Sequence, residues 1–543
     1  VKAKGPLHGR FRSFLLPAAI GLGMLAFLQL AVPMRGWAKP LLSVLGAAVL
    51  TAMVFAIPSA LKGKRGKKID DDLPFFITHF GVLATSNLPR QELVRLLSEN
   101  QEYKEVSGEM RRVLRLTTEW GLGLSDAVRA VAQSTPSKAF SAFLLRLAHS
   151  LEAGQPLEAF LMGEQRVVMA DYTSIYHANL LRVESWKEIY TNTISTMGFL
   201  SIFAVILPLF TGGSPVVFTL ATAGFILLLE ILLGVVLAER LPHDRLTPNR
   251  PLLTHFQRRL QRLLAVSVVA AVVLGAVVYL VAGVGFAILA ACLPLAAPGI
   301  YANREEAALR RREADYPAFI RSLGAAAAAR GGAIRGVLGN ILANNLGELQ
   351  DPVQDLYRRL MWRVDDKRSW RTFGEQTESR LIDSFSDMFV HGIAAGGKPG
   401  PISEIISQNM LGILALRTNR RATAGTFRGL LLGLGVGLAV VLFMGSGIFS
   451  GLGSLFGGDN AKVLAEQGLF RFPPAGDTRL AQDVLLVLMA GHAACAGTYY
   501  QLVQGGRKEG ATLHAAIHAV VCVGIAMAIL AFMPSLLGFI SGG

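Results

Sequence analysis

The chain has 543 residues, of which 52% are hydrophobic and only 17% charged; soluble proteins carry about a quarter charged residues. With a mean hydropathy of +0.45 and an apolar excess made of Ala, Leu, Val, Ile and 57 Gly, this composition excludes a disordered chain and argues against a wholly soluble one. The 53 Lys and Arg against 38 Asp and Glu leave a net charge of +15, which a polytopic membrane protein uses for orientation and which calls for no nucleic acid.

The first predicted element is an apolar run over 14–33, behind Lys2, Lys4, Arg10 and Arg12. It is long enough to span, and no small-residue cleavage site ends it, so it reads as a retained anchor. Val1 in place of Met leaves an alternative start and a trimmed end both open. Further spanning runs follow at 40–61, 192–210, 215–238, 263–282, 285–301, 429–451, 480–503 and 513–537, the fifth and sixth of the series parted only around Gly283–Gly285. The expected fold is therefore all-α, with about nine transmembrane helices. The domains are two spans (1–61), a polar block (62–190), four spans with a basic connection near 239–262 (191–301), a second polar block (302–428) and three spans (429–543).

Orientation follows from cations beside the spans. They gather at Lys62–Lys68, at Arg240, Arg245, Arg250, Arg258, Arg259 and Arg262, at Arg304 and Arg310–Arg312, and at Arg417, Arg420, Arg421 and Arg428. The turn Gly212-Gly-Ser-Pro215 has none and the loop near 452–479 is of mixed charge; Arg35 and Lys39 oppose the trend but are outvoted. Both polar blocks are expected in the cytoplasm of a multi-pass protein of the cell membrane, with the C-terminal Ser541-Gly-Gly543 outside.

Each block reads as a bundle of about six short helices, the last running into the following span. Apolar residues recur at helical spacing (Leu93, Leu96, Leu97; Phe143, Leu144, Leu147, Leu151). Asn87-Leu-Pro89 separates two helices, Ser125 is the expected N-cap of another, Pro136 opens one, and Gly154 closes one before Pro156.

The blocks look like copies. Asp72-Leu-Pro-Phe-Phe-Ile-Thr-His-Phe-Gly81 aligns with Asp315-Tyr-Pro-Ala-Phe-Ile-Arg-Ser-Leu-Gly324, and the same offset sets Ala153-Gly-Gln-Pro156 against Gly396-Gly-Lys-Pro399. Between them the register slips, with Arg111-Arg112 best set against Arg358-Arg359.

A duplicated helical block that opens D-x-P-x-F-I and carries G-x-P before its last helix resembles the type II secretion F-domain family. The likeness covers both blocks and their flanking spans. Two copies amid about nine spans are most similar to its FlaJ branch, the platforms of the archaellum and of related archaeal type IV pili; bacterial members have fewer spans. The resemblance implies a non-enzymatic, cofactor-free membrane platform, embedded in lipid as a homodimer. It would couple a cytoplasmic secretion-type hexameric ATPase to assembly of a filament of pilin-like subunits, with or without rotation.

Chemistry of the chain's own is scarce. Gly392-Ile-Ala-Ala-Gly-Gly397-Lys398 fits GxxxxGK, but Pro399 stands where a Mg²⁺-binding Ser or Thr is needed and no strand precedes it, so it reads as a helix-ending turn. Cys292, Cys495 and Cys522 sit in apolar runs and suit buried packing. Glu230 lies near mid-membrane, where an ionisable group is costly; it is either a tie between spans or part of a proton path with His492, His514 and His518. His514 and His518 share a helix face, and two imidazoles alone make a poor zinc site. Gly425, Gly429, Gly433 and Gly437 lay a bare ridge suited to a helix or subunit contact.

The cation clusters Arg111, Arg112, Arg115 and Arg358, Arg359, Arg363, Lys367, Arg368, Arg371 are interspersed with Asp355, Asp365 and Asp366. They are either solvated helix faces or a dock for an acidic ATPase surface, with the more positive second block the main dock. The alternative function is a transporter with regulatory cytoplasmic helical domains, which would place ionisable or broken-helix sites at mid-membrane.

Overall fold

The structure, a computed structural model, describes residues 64–86, 88–100, 102–211, 214–241, 246–247, 255–331, 334–455 and 475–541. The expected spans at 14–33 and 40–61 lie outside the described residues. Within them all regular structure is helical, and seven helices are long and apolar enough to cross a membrane. The protein is an all-α polytopic membrane protein.

The first bundle comprises α1 (Lys64–Ala84), α2 (Arg90–Glu99), α3 (Lys104–Thr118), α4 (Leu124–Ser134), α5 (Lys138–Glu152) and the start of α6 (Leu157–Thr211). Two apolar helices follow, α7 (Pro215–Arg240) and α8 (His255–Ala282). A turn at Gly283, whose φ of +85° is open to glycine without strain, leads into α9 (Val284–Ala329). The second bundle takes the end of α9, then α10 (Ile334–Ile341), α11 (Gln350–Met361), α12 (Asp366–Thr377), α13 (Arg380–Ala394) and the start of α14 (Pro399–Leu455). Two further apolar helices, α15 (Ala475–Gln504) and α16 (Ala511–Ser541), close the chain.

Three helices are continuous from bundle into span. α6 runs 55 residues, α9 46 and α14 57. No cap or turn marks a boundary at the membrane surface, so the bundles are extensions of the spans.

Capping settles the start of several short helices. Ser137 caps α5 by accepting from the Phe140 N–H at 3.0 Å, one residue after Pro136. The expected cap at Ser125 falls inside α4 instead, and Gly123 holds that position. Ser125 has no bond to an orphan amide there, so a Ser before an acidic residue is no cap by itself.

The duplication is visible in these details. Ser137 donates to Asp70 in α1, and Ser379, which caps α13, donates to Glu313 in α9 at 2.6 Å. Gly154 and Gly396 both take left-handed backbone (φ +69° and +86°) at the ends of α5 and α13. From these pairs the offset between copies is 242 in the later helices, one short of the offset that joins Asp72 to Asp315. The same value pairs Phe143 with Phe385 and His149 with His391. It also corrects the alignment of Arg111-Arg112 with Arg358-Arg359, which fall at different heights on α3 and α11, and moves Gly154 from Gly397 to Gly396.

One apolar core runs through both bundles. Phe76 is its hub in the first copy, with Tyr103, Phe140 and Phe143 set edge-on around it at 5.8–6.3 Å between ring centres. Its counterpart Phe319 packs with Tyr316 and Phe373, and Trp370 continues to Phe389. Each such ring contributes about 1.5–3 kcal/mol by leaving water. Across the join, Phe75 lies 5.7 Å from Phe385, His79 stacks on His391 at 5.9 Å, and Asn409 donates to Thr78 at 2.5 Å.

Among the spans, α14, α15 and α16 form the centre, with α6, α7 and α9 around them, while α8 packs on α9 and leaves Val266, Val269, Val272 and Leu280 exposed. An apolar outward face on a spanning helix is solvated by lipid tails.

Candidate functional site

Glu230 of α7 and His492 of α15, 262 residues apart, meet in the span layer with both side chains fully buried; His492 Nδ1 and Glu230 Oε1 are 2.5 Å apart. The Tyr499 hydroxyl donates to the Glu230 backbone carbonyl. Across from them Gly435 of α14 leaves room: a Cβ there would stand 2.8 Å from Cys522 Sγ and 3.2 Å from His492 Nε2. His514 and His518 share a face of α16; the His518 Nδ1–H donates to the His514 carbonyl at 3.1 Å, and His514 sits edge-on to Tyr500 at 4.3 Å. The structure thus joins Glu230 to His492 directly and leaves His514 and His518 along α16. Among the described residues no three His, Cys, Asp or Glu gather as a metal site.

The glycine ridge behaves differently from Gly435. Gly425, Gly429, Gly433 and Gly437 are exposed, and a Cβ on any of them would meet nothing among the described residues. The ridge does not pack this chain's described helices together.

Gly392–Lys398 is the last turn of α13 and the link from it to α14. Gly397 N–H donates to the Gly392 carbonyl, and Gly397 lies against Thr85 and Ile402. An amide engaged in ending a helix is not posed for phosphate.

The cationic residues divide by their contacts. Arg111 donates to the Ser98 carbonyl at 3.0 Å, and Arg112 joins buried Glu109 at 2.6 Å and Ser134 at 2.7 Å, so both tie α3 to its neighbours. Arg115 is exposed. Arg359 bonds Gln376 at 2.8 Å on a half-buried stem. Arg358 reaches Asp355 at 3.4 Å and Arg371 reaches Glu375 at 3.9 Å, both in solvent. The side chains of Arg363, Lys367 and Arg368 are exposed and make no ion pair among the described residues.

These last residues surround the turn between α11 and α12, and that turn carries Trp362, 79% exposed. The equivalent turn between α3 and α4 carries Trp120, 75% exposed. By contrast Trp186 and Trp370 are 3% exposed. In each copy the residue after the exposed Trp is left-handed, Gly121 at φ +66° and Arg363 at φ +56°. Sequence reasoning passed over both tryptophans; the signal was the 242-residue offset that relates them.

Two arginines counted as orienting cations are buried instead. Arg417 grips Glu313 through both carboxylate oxygens at 3.0 Å. Arg420 donates to the Val503 and Leu502 carbonyls at 2.8 Å, capping the C-terminus of α15 where a helix dipole favours a cation. Arg507, stacked 4.0 Å over Phe256, bonds Glu378 at 2.9 Å, and its N–H donates to Glu306 at 3.0 Å. The second bundle is therefore fastened to the spans by paired charges, a pattern that spacing alone does not reveal.

Residues 76–212 match the type II secretion system (T2SS) protein F family. Flagella accessory protein J of Methanocaldococcus jannaschii is 31% identical over 480 residues, 86% of this chain and 85% of its own. Flagella accessory protein J of Methanococcus voltae is 31% identical over 487 residues, 85% of this chain and 87% of its own. No solved structure matches the chain significantly.

Proposed function

This chain belongs to the family of Flagella accessory protein J, and from that premise we propose that it is the membrane platform of a flagellum- or pilus-type assembly system. In this reading it is non-enzymatic, sits in the cytoplasmic membrane with both bundles in the cytoplasm, and couples a secretion-type hexameric ATPase to assembly of a pilin-like filament. Lys and Arg beside the bundle ends of the spans support that orientation.

The observation that carries the proposal is the continuity of α6, α9 and α14 from bundle to span. A helix without a break transmits a push or a twist along its length, whereas a loop at the membrane surface absorbs it. The common core and the buried Arg417–Glu313 pair stiffen the base of these levers. A transporter is less well supported, because a cavity of about 330 Å³ between α7 and α15 is lined only by apolar side chains such as Leu220, Leu227, Val484 and Val487, and the polar one of about 310 Å³ lies at the helix ends, beside Gln257, Arg507 and Glu509.

The test is biochemical. Purified chain in nanodiscs should hydrolyse no ATP and should bind the cell's secretion-type ATPase and raise its turnover. Hydrolysis by the chain alone, abolished by Lys398→Ala, would overturn the non-enzymatic reading.

A further inference from the structure

We propose that Trp120 and Trp362 are twin anchors that insert into apolar sockets repeated around the cytoplasmic ATPase ring, carboxylates rimming the socket that takes Trp362. The inference rests on the platform reading and names the contact that reading requires.

The two side chains are equivalent by construction of the fold. The offset of 242 that relates the capping serines 137 and 379 also relates Trp120 to Trp362, the left-handed Gly121 to Arg363, and the N-cap Gly123 to Asp365. Two copies that differ at most surface positions both hold the largest apolar side chain at the same turn, and in both it stands in water. A single exposed Trp is unremarkable as a surface residue, but a matched pair on a duplicated scaffold fits a partner that offers the same socket more than once. A ring of identical subunits is such a partner.

The turn that carries Trp362 points away from the membrane. In the second copy, the base of the α11–α12 hairpin lies at the span side of α9, with Glu348 on Arg311 at 2.9 Å and Arg312 on the Thr377 carbonyl at 3.4 Å. Further along, Phe373 meets Phe319, and Asp366 meets Arg335, beyond the far end of α9, at 2.8 Å. Contacts climb α9 as α12 is followed back to its start, so Trp362 sits about 18 Å beyond that base, given the 12 residues of α11 at 1.5 Å each. Lipid is out of reach there, although Trp beside Arg would otherwise suit a membrane surface.

Charge selects an acidic partner at the second turn, while the first is balanced, with Arg115 and Arg129 against Glu119 and Asp126. Over 355–371 there are six cations against three carboxylates, and Asp355, Asp365 and Asp366 are occupied by Arg358, the Arg368 N–H and Arg335. Arg363, the residue after Trp362, holds left-handed backbone where glycine costs least, so a cation is kept at this turn against a local cost. Trp flanked by Arg is the composition that dominates binding hot spots, the ring filling a desolvated pocket while the cations steer approach.

The experiment uses full-length chain in nanodiscs, with the secretion-type ATPase as the probe. Trp120→Ala and Trp362→Ala should each weaken binding several-fold, and the double variant about tenfold or more; Trp362→Phe should retain most affinity. Because both rings are exposed, the unfolding temperature should not move. If wild type binds the ATPase and the double variant binds equally well, the anchors are not there. A double variant that instead loses self-association, or binding to anionic vesicles, while keeping the ATPase overturns the choice of partner. A lowered unfolding temperature in the double variant would show the rings to be packed and would overturn it too. No binding by wild type would overturn the platform reading itself, and this inference with it.

Discussion

The Arg380 guanidinium, at the start of α13, donates to Asp72 in α1 at 3.0 Å and to Glu102 at 2.9 Å while lying 5.0 Å over the Phe75 ring. A cation from one copy of the duplication is thereby buried between two carboxylates of the other. It sets the register in which the bundles meet, since burial there is tolerable only with both partners in place.

Removing that cation leaves two carboxylates without it at the join. Arg380→Ala should cost about 3–5 kcal/mol, seen as an earlier unfolding transition and as faster proteolysis between the bundles. Adding Asp72→Asn and Glu102→Gln should return part of the loss, because neutral side chains need no counter-charge. A single variant as stable as wild type would mean the join rests on apolar contacts alone.

Acid should loosen the same join through His79. Burial, followed by the nearby His391 ring, holds the His79 imidazole down from 6.5 to about 3. The unfolded chain then binds a proton that the folded one refuses, so stability is full above about 6.5 and is lost as pH falls toward about 3. At pH 5 the loss from this group is about 2 kcal/mol, since each unit is worth about 1.4 kcal/mol. His79→Phe should flatten the dependence of the unfolding temperature between pH 7 and pH 5, a window set by the same depressed value. An unchanged slope would place the acid sensitivity elsewhere.

Glycines of α14 should separate by face. Gly435→Val meets Cys522 and His492 and should destabilise by about 1–3 kcal/mol through overpacking. A Cβ at Gly429 or Gly433 meets nothing among the described residues, and both are exposed, so Gly429→Ile and Gly433→Ile should fold normally. If the ridge joins two copies, these two variants should lower the dimer fraction in sedimentation or cross-linking, as small residues let helix backbones approach. An unaltered dimer would assign the ridge to lipid.

The Glu230–His492 pair ties α7 to α15, and its worth should follow hydrogen bonding more than charge. Glu230→Gln, which keeps a polar partner for His492, should be close to wild type, while Glu230→Leu should lose about 1–2 kcal/mol by stranding a buried imidazole. Unfolding in detergent monitored by circular dichroism distinguishes them. Equal losses in both variants would show that the negative charge itself is needed.

Much of the architecture was legible because its causes are local. Runs of about twenty apolar residues identify spans, and those at 215–238 and 480–503 fall within α7 and α15. The Asp72–Gly81 and Asp315–Gly324 match marked the duplication because those residues form the first helix of each core. What escaped depends on distant partners. Arg111, Arg112, Arg417 and Arg420 look in sequence like any surface arginine, and only the fold shows each on a buried carboxylate or carbonyl. The Gly-Pro pairs suggest a register one residue longer than the one the capping serines Ser137 and Ser379 hold. Conformation, not identity, fixes Gly154 opposite Gly396.

The most direct test of the platform is to soften its levers without breaking its bundles. Thr191, Asn192 and Thr193 of α6 are exposed or half-buried, as are Ala422 and Thr423 of α14. Replacing all five by glycine keeps the helical register while weakening Ala422 by about 1 kcal/mol of helix propensity and each Thr or Asn by about 0.3 kcal/mol. Counted by electron microscopy on cells carrying the variant, filaments should nearly vanish, although the protein still inserts and still recruits the ATPase. Wild-type filament numbers with softened α6 and α14 would contradict the claim that force passes through them.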